Sequence, residues 1–187
     1  MSDEIVVFTD GACRGNPGPG GWGWAVASGG DAVGFDGAFC SGSEAASTNQ
    51  RMEVWAVLDA LTTLLALRDA NVAVVSDSTY VVNCFRDGWW RGWEKRGWKN
   101  SQKQPVANQD LWRPLVDVYK ADAGRIRFRW VKGHSGNAMN DRVDALAVAA
   151  AAAQSPRTQV GGPVTELEPP VAVVAASSSS ADQGSLF

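Results

Sequence analysis

Apolar and polar positions along most of the chain follow two different periods, one typical of strands and one typical of helices. Continuous runs of β-branched and aromatic side chains over residues 5–11 and 72–76 predict strands that are buried on both faces. Arginines alternate with apolar side chains over residues 125–131, which predicts a strand with one basic face. Shorter apolar runs over residues 22–28 and 33–40, separated by glycines, predict a hairpin. We therefore expect five strands, the first three of them forming a meander.

Helical periods alternate with these strands. Apolar side chains three and four residues apart predict a helix from residue 49 to about residue 67, with a hydroxyl cap from the preceding Ser47-Thr48. Three further helices are expected, one up to about residue 85, one over residues 108–120 and one up to about residue 153. Strands interleaved with helices indicate an α/β fold.

The composition changes after residue 154. Prolines and a serine run follow, with few large apolar side chains, and such a composition favours disorder. We therefore expect one folded domain over residues 1–154 and a disordered tail over residues 155–187. The net charge of the chain is −3, and the tail contributes −2 of it, through Arg157 against Glu166, Glu168 and Asp182. The domain then carries −1, so the distribution of its charges decides what it binds.

Two segments of the domain have unusual compositions. Residues 11–21 are so rich in glycine and proline that they predict a tight loop. Residues 86–104 interleave tryptophans with cations, and so many cations cannot be buried in a core. We expect residues 86–104 to form an exposed basic arm whose rings stack on bases or sugars and whose cations bind phosphates.

Cysteine usage and hydropathy bound the location of the protein. The three cysteines, Cys13, Cys40 and Cys84, have neither paired nor CxxC spacing, which argues against a disulfide framework or a zinc site. The first residues contain no signal-peptide core, and no apolar run approaches the roughly 20 residues of a membrane span. We expect a soluble cytoplasmic protein, and no feature demands more than a monomer.

Acidic residues stand at the ends of two predicted strands. Asp10 and Asp77 end the apolar runs, and ligands of open α/β sheets bind at that edge. Two such carboxylates repel each other, and a hard divalent metal ion between them relieves the repulsion. Glu53 is either a first-turn acid that interacts with the helix dipole or a third carboxylate that faces the sheet. His134, the single histidine, precedes a helix that carries Asp144, and it is either a surface group or a catalyst.

Several motifs together resemble type 1 ribonuclease H over roughly residues 4–152. They are Thr9-Asp10-Gly11, Asn16-Pro-Gly-Pro-Gly-Gly, Thr48-Asn-Gln-Arg-Met-Glu53, Ser76-Asp77-Ser78, Gly97-Trp98-Lys99, Trp130-Val-Lys-Gly-His134, and Asn140 with Asp144. Their order and spacing make the resemblance specific. It implies a ribonuclease H-like fold, which is a five-stranded mixed sheet with helices on both sides.

The resemblance also implies an activity, the endonucleolytic hydrolysis of the RNA strand of RNA–DNA hybrids with 5′-phosphate and 3′-hydroxyl ends. Two Mg²⁺ ions, or Mn²⁺ in their place, would be bound by four carboxylates, those of Asp10, Glu53, Asp77 and Asp144. Motif position assigns the fourth ligand to Asp144 and not to the nearby Asp141. His134 would assist proton movement or product release without binding metal.

Further residues are implied as substrate contacts. The minor groove of the hybrid displays the 2′-hydroxyl, and the family resemblance places along it Cys13, Asn16, Asn49 and Gln50. A DNA phosphate would be held by Thr48 and Asn108. The DNA strand would run in a channel lined by Tyr80, Trp89 and Trp93, with cations from the basic arm, Lys95, Arg96 and Lys99.

The last residues, Gln183-Gly-Ser-Leu-Phe187, resemble the pentapeptide that binds bacterial sliding clamps. Leu186 and Phe187 would be its apolar plug, and Gln183 its hydrogen-bonding anchor in a preformed groove. A sliding clamp is therefore an expected partner.

Two rival interpretations stay open. One is a non-catalytic hybrid-binding module of the same fold, which is expected to lack one or more of the four acids. The other is a nuclease of the wider superfamily that acts on DNA alone, which is expected to lack the tryptophan-rich arm and the Asn49-Gln50 pair.

Overall fold

The computed structural model describes residues 4–27, 37–67 and 69–162. Its strands form one five-stranded sheet in the order β3-β2-β1-β4-β5. The strands are β1 (Glu4–Cys13), β2 (Gly18–Val26), β3 (Phe39–Ser47), β4 (Asn71–Ser76) and β5 (Ile126–Trp130). β1 pairs antiparallel with β2 and parallel with β4, while β2–β3 is antiparallel and β4–β5 is parallel. The predicted mixed sheet of five strands is confirmed.

Five helices accompany the sheet. They are α1 (Asn49–Leu67), α2 (Thr79–Arg86), α3 (Trp89–Lys95), α4 (Gln109–Ala121) and α5 (Ala138–Ala153). The hydroxyl of Thr48 accepts a hydrogen bond from the backbone N–H of Arg51, as expected of the cap of α1. None of the helices in the described part of the chain is long and apolar enough to cross a membrane.

Alternating side chains of β1 divide the core between the two faces of the sheet. Ile5 and Val7 pack with α1, α2 and α4 in one cluster. Phe8 packs in a second cluster with Val143 of α5. The period of two along a strand causes this division, because successive side chains point to opposite faces. Helices on both sides of the sheet are thereby confirmed.

The glycine-rich residues 11–21 are mostly strand and not loop. β1 continues to Cys13 and β2 begins at Gly18, so only the four residues between them form the turn. The glycines are needed because helices cross the sheet closely here. A Cβ at Gly21 would stand 2.2 Å from the carbonyl oxygen of Ala147 in α5.

The third strand lies later in the sequence than residues 33–40. β3 runs over Phe39–Ser47 and pairs with β2 at the edge of the sheet. Its small and polar residues do not form the apolar pattern of a strand, because an edge strand with one solvent-exposed face needs few large apolar side chains. Residues 28–36 lie outside the described part of the chain.

Residues 155–162 form a C-terminal strap that packs on the domain, so the predicted boundary at residue 154 is wrong. Phe39 and Gly161 exchange two backbone hydrogen bonds, and the backbone N–H of Thr158 donates to the carbonyl of Ser41. Arg157 pairs with Asp59, whose side chain is 3% exposed. A buried acid needs such a partner, which composition alone does not reveal. The remaining tail, residues 163–187, lies outside the described residues.

The basic arm is less exposed than expected. Trp90 is buried in the core, and Trp93 and Trp98 pack against that core. Trp89 is exposed, at 38%. The arm contains the short helix α3, and a helix separates its two faces, so that the rings turn inward while the cations stay in water.

Candidate active site

Strand pairing brings Asp10 and Asp77 to the same edge of the sheet. Phe8 of β1 is in register with Val75 of the parallel strand β4, and the two aspartates each follow by two residues. Asp10 is 7% exposed and accepts a 2.8 Å hydrogen bond from the backbone N–H of Gly11. Asp77 is half-buried, just beyond the end of β4. The expectation that two carboxylates meet at the strand ends is confirmed.

Glu53 reaches this edge from α1. A Cβ at Gly11 would stand 2.3 Å from the backbone nitrogen of Glu53, so a glycine is required where β1 and α1 touch. The hydroxyl of Ser78 donates a 2.6 Å hydrogen bond to Oε2 of Glu53. Because Glu53 interacts with the carboxylates at the sheet edge, the structure favours the second of its two interpretations.

Asp144 approaches from the opposite face, on α5. Gly23 pairs with Asp10 across β1 and β2, and a Cβ at Gly23 would stand 2.7 Å from Cβ of Leu146. Because Gly23 has no side chain, α5 packs directly on β2 beside Asp10. In the same helix, the amide of Asn140 donates a 3.2 Å hydrogen bond to Oδ2 of Asp77.

The electrostatics of the site show that these acids interact. Burial raises the pKa of Asp10 to about 8, with further increases from the negative charges of Asp77, Asp144 and Glu53 and a decrease from the backbone N–H of Gly11. Burial also raises the pKa of Glu53 to about 7, against the effect of the Ser78 hydrogen bond. A site that penalises its own negative charges attracts a cation.

The donor set fits a hard divalent cation, because it consists of carboxylate oxygens. The buried amide oxygen Oδ1 of Asn140, beside Asp77, has no hydrogen-bond partner among the described residues. Yet no three histidine, cysteine, aspartate or glutamate side chains in this part of the chain stand close enough to enclose a metal ion. The four-ligand assignment stays a prediction.

The loop that carries His134 borders this site. A Cβ at Gly133 would stand 2.6 Å from Oδ2 of Asp77, so the loop backbone passes directly over that carboxylate. His134 itself is exposed, and its φ of 51° places it in the left-handed region. His134 thus follows directly after the residue that contacts Asp77, while its role in proton movement stays a prediction.

Comparisons with known proteins agree with this geometry. The family model described as RNase H matches residues 2–152. The chain belongs to the ribonuclease H family. It is 51% identical over 152 residues to the Ribonuclease H of Moorella thermoacetica (strain ATCC 39073 / JCM 9320), covering 80% of this chain and 93% of the relative. It is 47% identical over 144 residues to that of Syntrophomonas wolfei subsp. wolfei (strain DSM 2245B / Goettingen), covering 77% of this chain and 93% of the relative.

A solved structure supports the same conclusion. LC9-RNase H1, described as a type 1 RNase H with the type 2 active-site motif, gives a TM-score of 0.71 at 30% identity, covering 87% of this chain and 80% of that one. The resemblance to type 1 ribonuclease H, the fold and the enzyme class are therefore confirmed. Members of the ribonuclease H family generally use divalent metal ions.

The residues expected along the minor groove cluster around the start of α1. Asn49 and Gln50 are exposed in its first turn, and the backbone N–H of Asn49 donates to Oδ1 of the exposed Asn16. Cys13, at the end of β1, is half-buried. The structure brings these residues together on one surface, while their contact with substrate stays a prediction.

The residues expected to contact DNA lie on other elements. Tyr80 and Trp93 both contact Trp112, so they are partly structural. Lys95, Arg96 and Lys99 are exposed, with Nε of Arg96 donating to the carbonyl oxygen of Lys99. Asn108 precedes α4 in a left-handed conformation, with φ at 58°. These side chains offer cations and polar groups, while their role in binding stays a prediction.

Two residues of the site had no individual role in the sequence analysis. Ser78 was named only as part of a motif, and it both caps α2 and donates a hydrogen bond to Glu53. Asn140 was named only as part of a motif, and it binds Asp77. No periodic signal marks such residues, because their partners lie 25 and 63 positions away in the sequence.

Proposed function

We propose that this ribonuclease H hydrolyses the RNA strand of RNA–DNA hybrids as an endonuclease, leaving 5′-phosphate and 3′-hydroxyl ends. The observation that carries the proposal is the strand register that places Asp10 and Asp77 at neighbouring strand ends, with Glu53 held beside Asp77 by Ser78, in a chain that belongs to the ribonuclease H family. A non-catalytic hybrid-binding module is disfavoured because none of the four acidic positions has lost its carboxylate.

The proposal includes two divalent cations, Mg²⁺ or Mn²⁺, held by carboxylates at the sheet edge. The ligands would be Asp10, Glu53, Asp77 and Asp144. When bound, the cations would supply the lowered pKa of an attacking water and neutralise charge on the leaving oxygen. For the protein, a bound cation favours the charged form of Asp10 and Glu53, whose pKa values burial raises.

His134 would move a proton at the leaving group. Hydrolysis that leaves a 3′-hydroxyl must deliver a proton to the departing 3′-oxygen. An imidazole can both accept and donate a proton, and the loop that carries His134 passes over Asp77. Its exposure allows it to exchange that proton with solvent.

Discrimination between RNA and DNA would come from the surface at the start of α1. Cys13, Asn16, Asn49 and Gln50 would lie along the minor groove, which displays the 2′-hydroxyl in a hybrid. Thr48 and Asn108 would hold a phosphate of the DNA strand. The exposed cations of the basic arm would add sequence-independent affinity, which weakens as salt rises.

The test compares end-labelled RNA–DNA hybrid, duplex DNA and duplex RNA, each with Mg²⁺ or with EDTA. Only the RNA strand of the hybrid should be cut, and EDTA should abolish the cleavage. Cleavage of duplex DNA would favour the DNA-acting alternative, and binding of the hybrid without cleavage would favour the non-catalytic module.

We also propose that the C-terminal pentapeptide tethers the enzyme, acting as a monomer in the cytoplasm, to a sliding clamp. The support is the spacing of Gln183, Leu186 and Phe187, and three free cysteines that suit a reducing compartment. A peptide of the last ten residues should bind purified clamp, and the same peptide with Leu186→Ala and Phe187→Ala should not. Absence of binding by the unaltered peptide would end the tether hypothesis.

A further inference from the structure

Arg51 uses its guanidinium to join two acids on different elements. Nε and Nη2 donate to the carboxylate of Glu44 at 2.8 and 3.1 Å. Nη1 and Nη2 donate to the carboxylate of Asp110, both at 2.8 Å. The guanidinium also lies 5.7 Å from the ring centroid of Trp55. Two edges of the planar guanidinium are thus each paired with a carboxylate, a geometry that lysine cannot reproduce.

Two of the three elements that Arg51 joins, α1 and α4, begin beside residues of the proposed substrate surface. Arg51 lies in the first turn of α1, and its backbone N–H donates to the hydroxyl of Thr48 at 3.2 Å. Asp110 lies in the first turn of α4, two residues after Asn108. The junction formed by Arg51, Glu44 and Asp110 therefore sets the distance between the starts of α1 and α4, beside which the proposed phosphate-binding residues lie.

The third element is β3, which carries Glu44. Glu44 is in register with Gly20, and Gly20 pairs on its other side with Cys13. The negative charge of Glu44 is close enough to act on the thiol of Cys13. Arg51 therefore also ties the start of α1 to β3, and through the pairing of β3 with β2 and of β2 with β1 to Cys13.

We propose that Arg51 is a positioning residue that holds Thr48 and Asn108 at the spacing required to share one phosphate of the DNA strand. The inference rests on the proposed function, since it assigns a role in binding the same hybrid. Arg51 has four donor contacts to protein carboxylates, so it acts through its neighbours and not as a phosphate ligand. It also neutralises Glu44 and Asp110, which would otherwise repel a phosphate nearby.

The test measures kcat and KM for the hybrid with Arg51→Lys and Asp110→Asn. Arg51→Lys keeps the positive charge and loses the paired hydrogen bonds to the two carboxylates. Asp110→Asn keeps the side-chain shape and loses the ion pair. Each should raise KM about tenfold, equivalent to about 1.4 kcal/mol, the size of one charged hydrogen bond, with kcat unchanged. The double variant should raise KM little further, because both changes break one junction.

Arg157→Lys is the matched control. Arg157 lies in the C-terminal strap and pairs with Asp59, which lies in α1 two turns after Arg51. It should lower thermal stability by an amount similar to Arg51→Lys while leaving KM at the wild-type value. A rise in KM in Arg51→Lys but not in Arg157→Lys, at similar losses of stability, distinguishes a positioning role from a purely structural one.

The outcomes separate the inference from the function on which it rests. Wild-type KM in both Arg51→Lys and Asp110→Asn, with normal cleavage by the wild type, would overturn the role of Arg51 alone. An equal rise of KM in Arg157→Lys would also overturn it, because the effect would then be general loosening. Failure of the wild type to cut the hybrid would overturn the proposed function itself.

Discussion

Ser78 donates a 2.6 Å hydrogen bond from its hydroxyl to Oε2 of Glu53. The same hydroxyl accepts a 3.2 Å hydrogen bond from the backbone N–H of Val81 and so caps α2. One side chain thus joins a helix start at the sheet edge to an acid on another helix. Burial raises the pKa of Glu53 to about 7, and the Ser78 hydrogen bond opposes that rise by favouring the charged carboxylate.

Ser78→Ala should therefore shift the acidic limb of the pH profile of kcat to higher pH, because Glu53 becomes harder to ionise. The variant should also lose about 1 kcal/mol of stability with the N-cap. Activity across pH and urea denaturation measure the two effects. Ser78→Thr keeps the hydroxyl and should retain both properties. An unchanged pH profile in Ser78→Ala would contradict the role assigned to the hydrogen bond.

Asp10→Asn should stabilise the folded protein at high pH while abolishing cleavage. The pKa of Asp10 is raised from 3.8 to about 8, so the folded chain binds this proton where the unfolded chain has lost it. Stability therefore falls as the pH rises from near 4 towards 8, by about 1.4 kcal/mol for each pH unit. Denaturation of both proteins across this range should show a difference that grows with pH. A constant difference would be inconsistent with this account.

Gly11→Ala should cost about 3 kcal/mol of stability, because overpacking against backbone cannot be relieved by a side-chain rotation. The added Cβ would stand 2.3 Å from the nitrogen of Glu53 and 2.4 Å from the carbonyl carbon of Met52. Activity should fall with it, since α1 carries Glu53. Gly124→Ala is the control, because nothing lies within 4 Å of the added atom. Equal urea midpoints for the two variants would refute the close contact between β1 and α1.

Truncation after residue 154 should destabilise the domain relative to truncation after residue 162. The shorter chain lacks Arg157, which donates to Asp59 at 2.7 Å and to Thr63 at 3.0 Å. Asp59 would keep its hydrogen bond from the indole of Trp24 and lose its countercharge. Loss of one partner of a buried ion pair costs about 3 kcal/mol. Identical melting temperatures for the two truncations would show that the C-terminal strap does not stabilise the fold.

Long periodic segments made most of the fold predictable from the sequence. The continuous apolar run of β4 and the stripe of α1 each follow from local burial, so the pattern alone located them. β3 and the C-terminal strap were not predictable, because both are held by backbone hydrogen bonds to other segments, such as those between Phe39 and Gly161. The burial of Trp90 was not predicted, because the cations around it concealed a helix with one buried face.

The candidate site was predictable where strand ends and motifs coincide, as at Asp10 and Asp77. Its supporting hydrogen bonds were not, because Ser78 and Asn140 reach partners that only the folded chain brings near. The same holds for the junction at Arg51, whose partner Asp110 lies 59 positions away. Pairings of this kind depend on tertiary geometry, which has no period in the sequence.

The most direct test of the central claim exchanges single carboxylates for amides and measures cleavage of the RNA strand of a hybrid with Mg²⁺. Asp144→Asn should lower kcat by more than about a hundredfold, beyond the cost of losing an outer hydrogen-bonding partner. Asp141→Asn is the matched control, an exposed acid one turn earlier in α5, and it should cleave as the wild type does. Near wild-type cleavage by Asp144→Asn, or equal loss in both variants, would contradict a catalytic site built from the four acids.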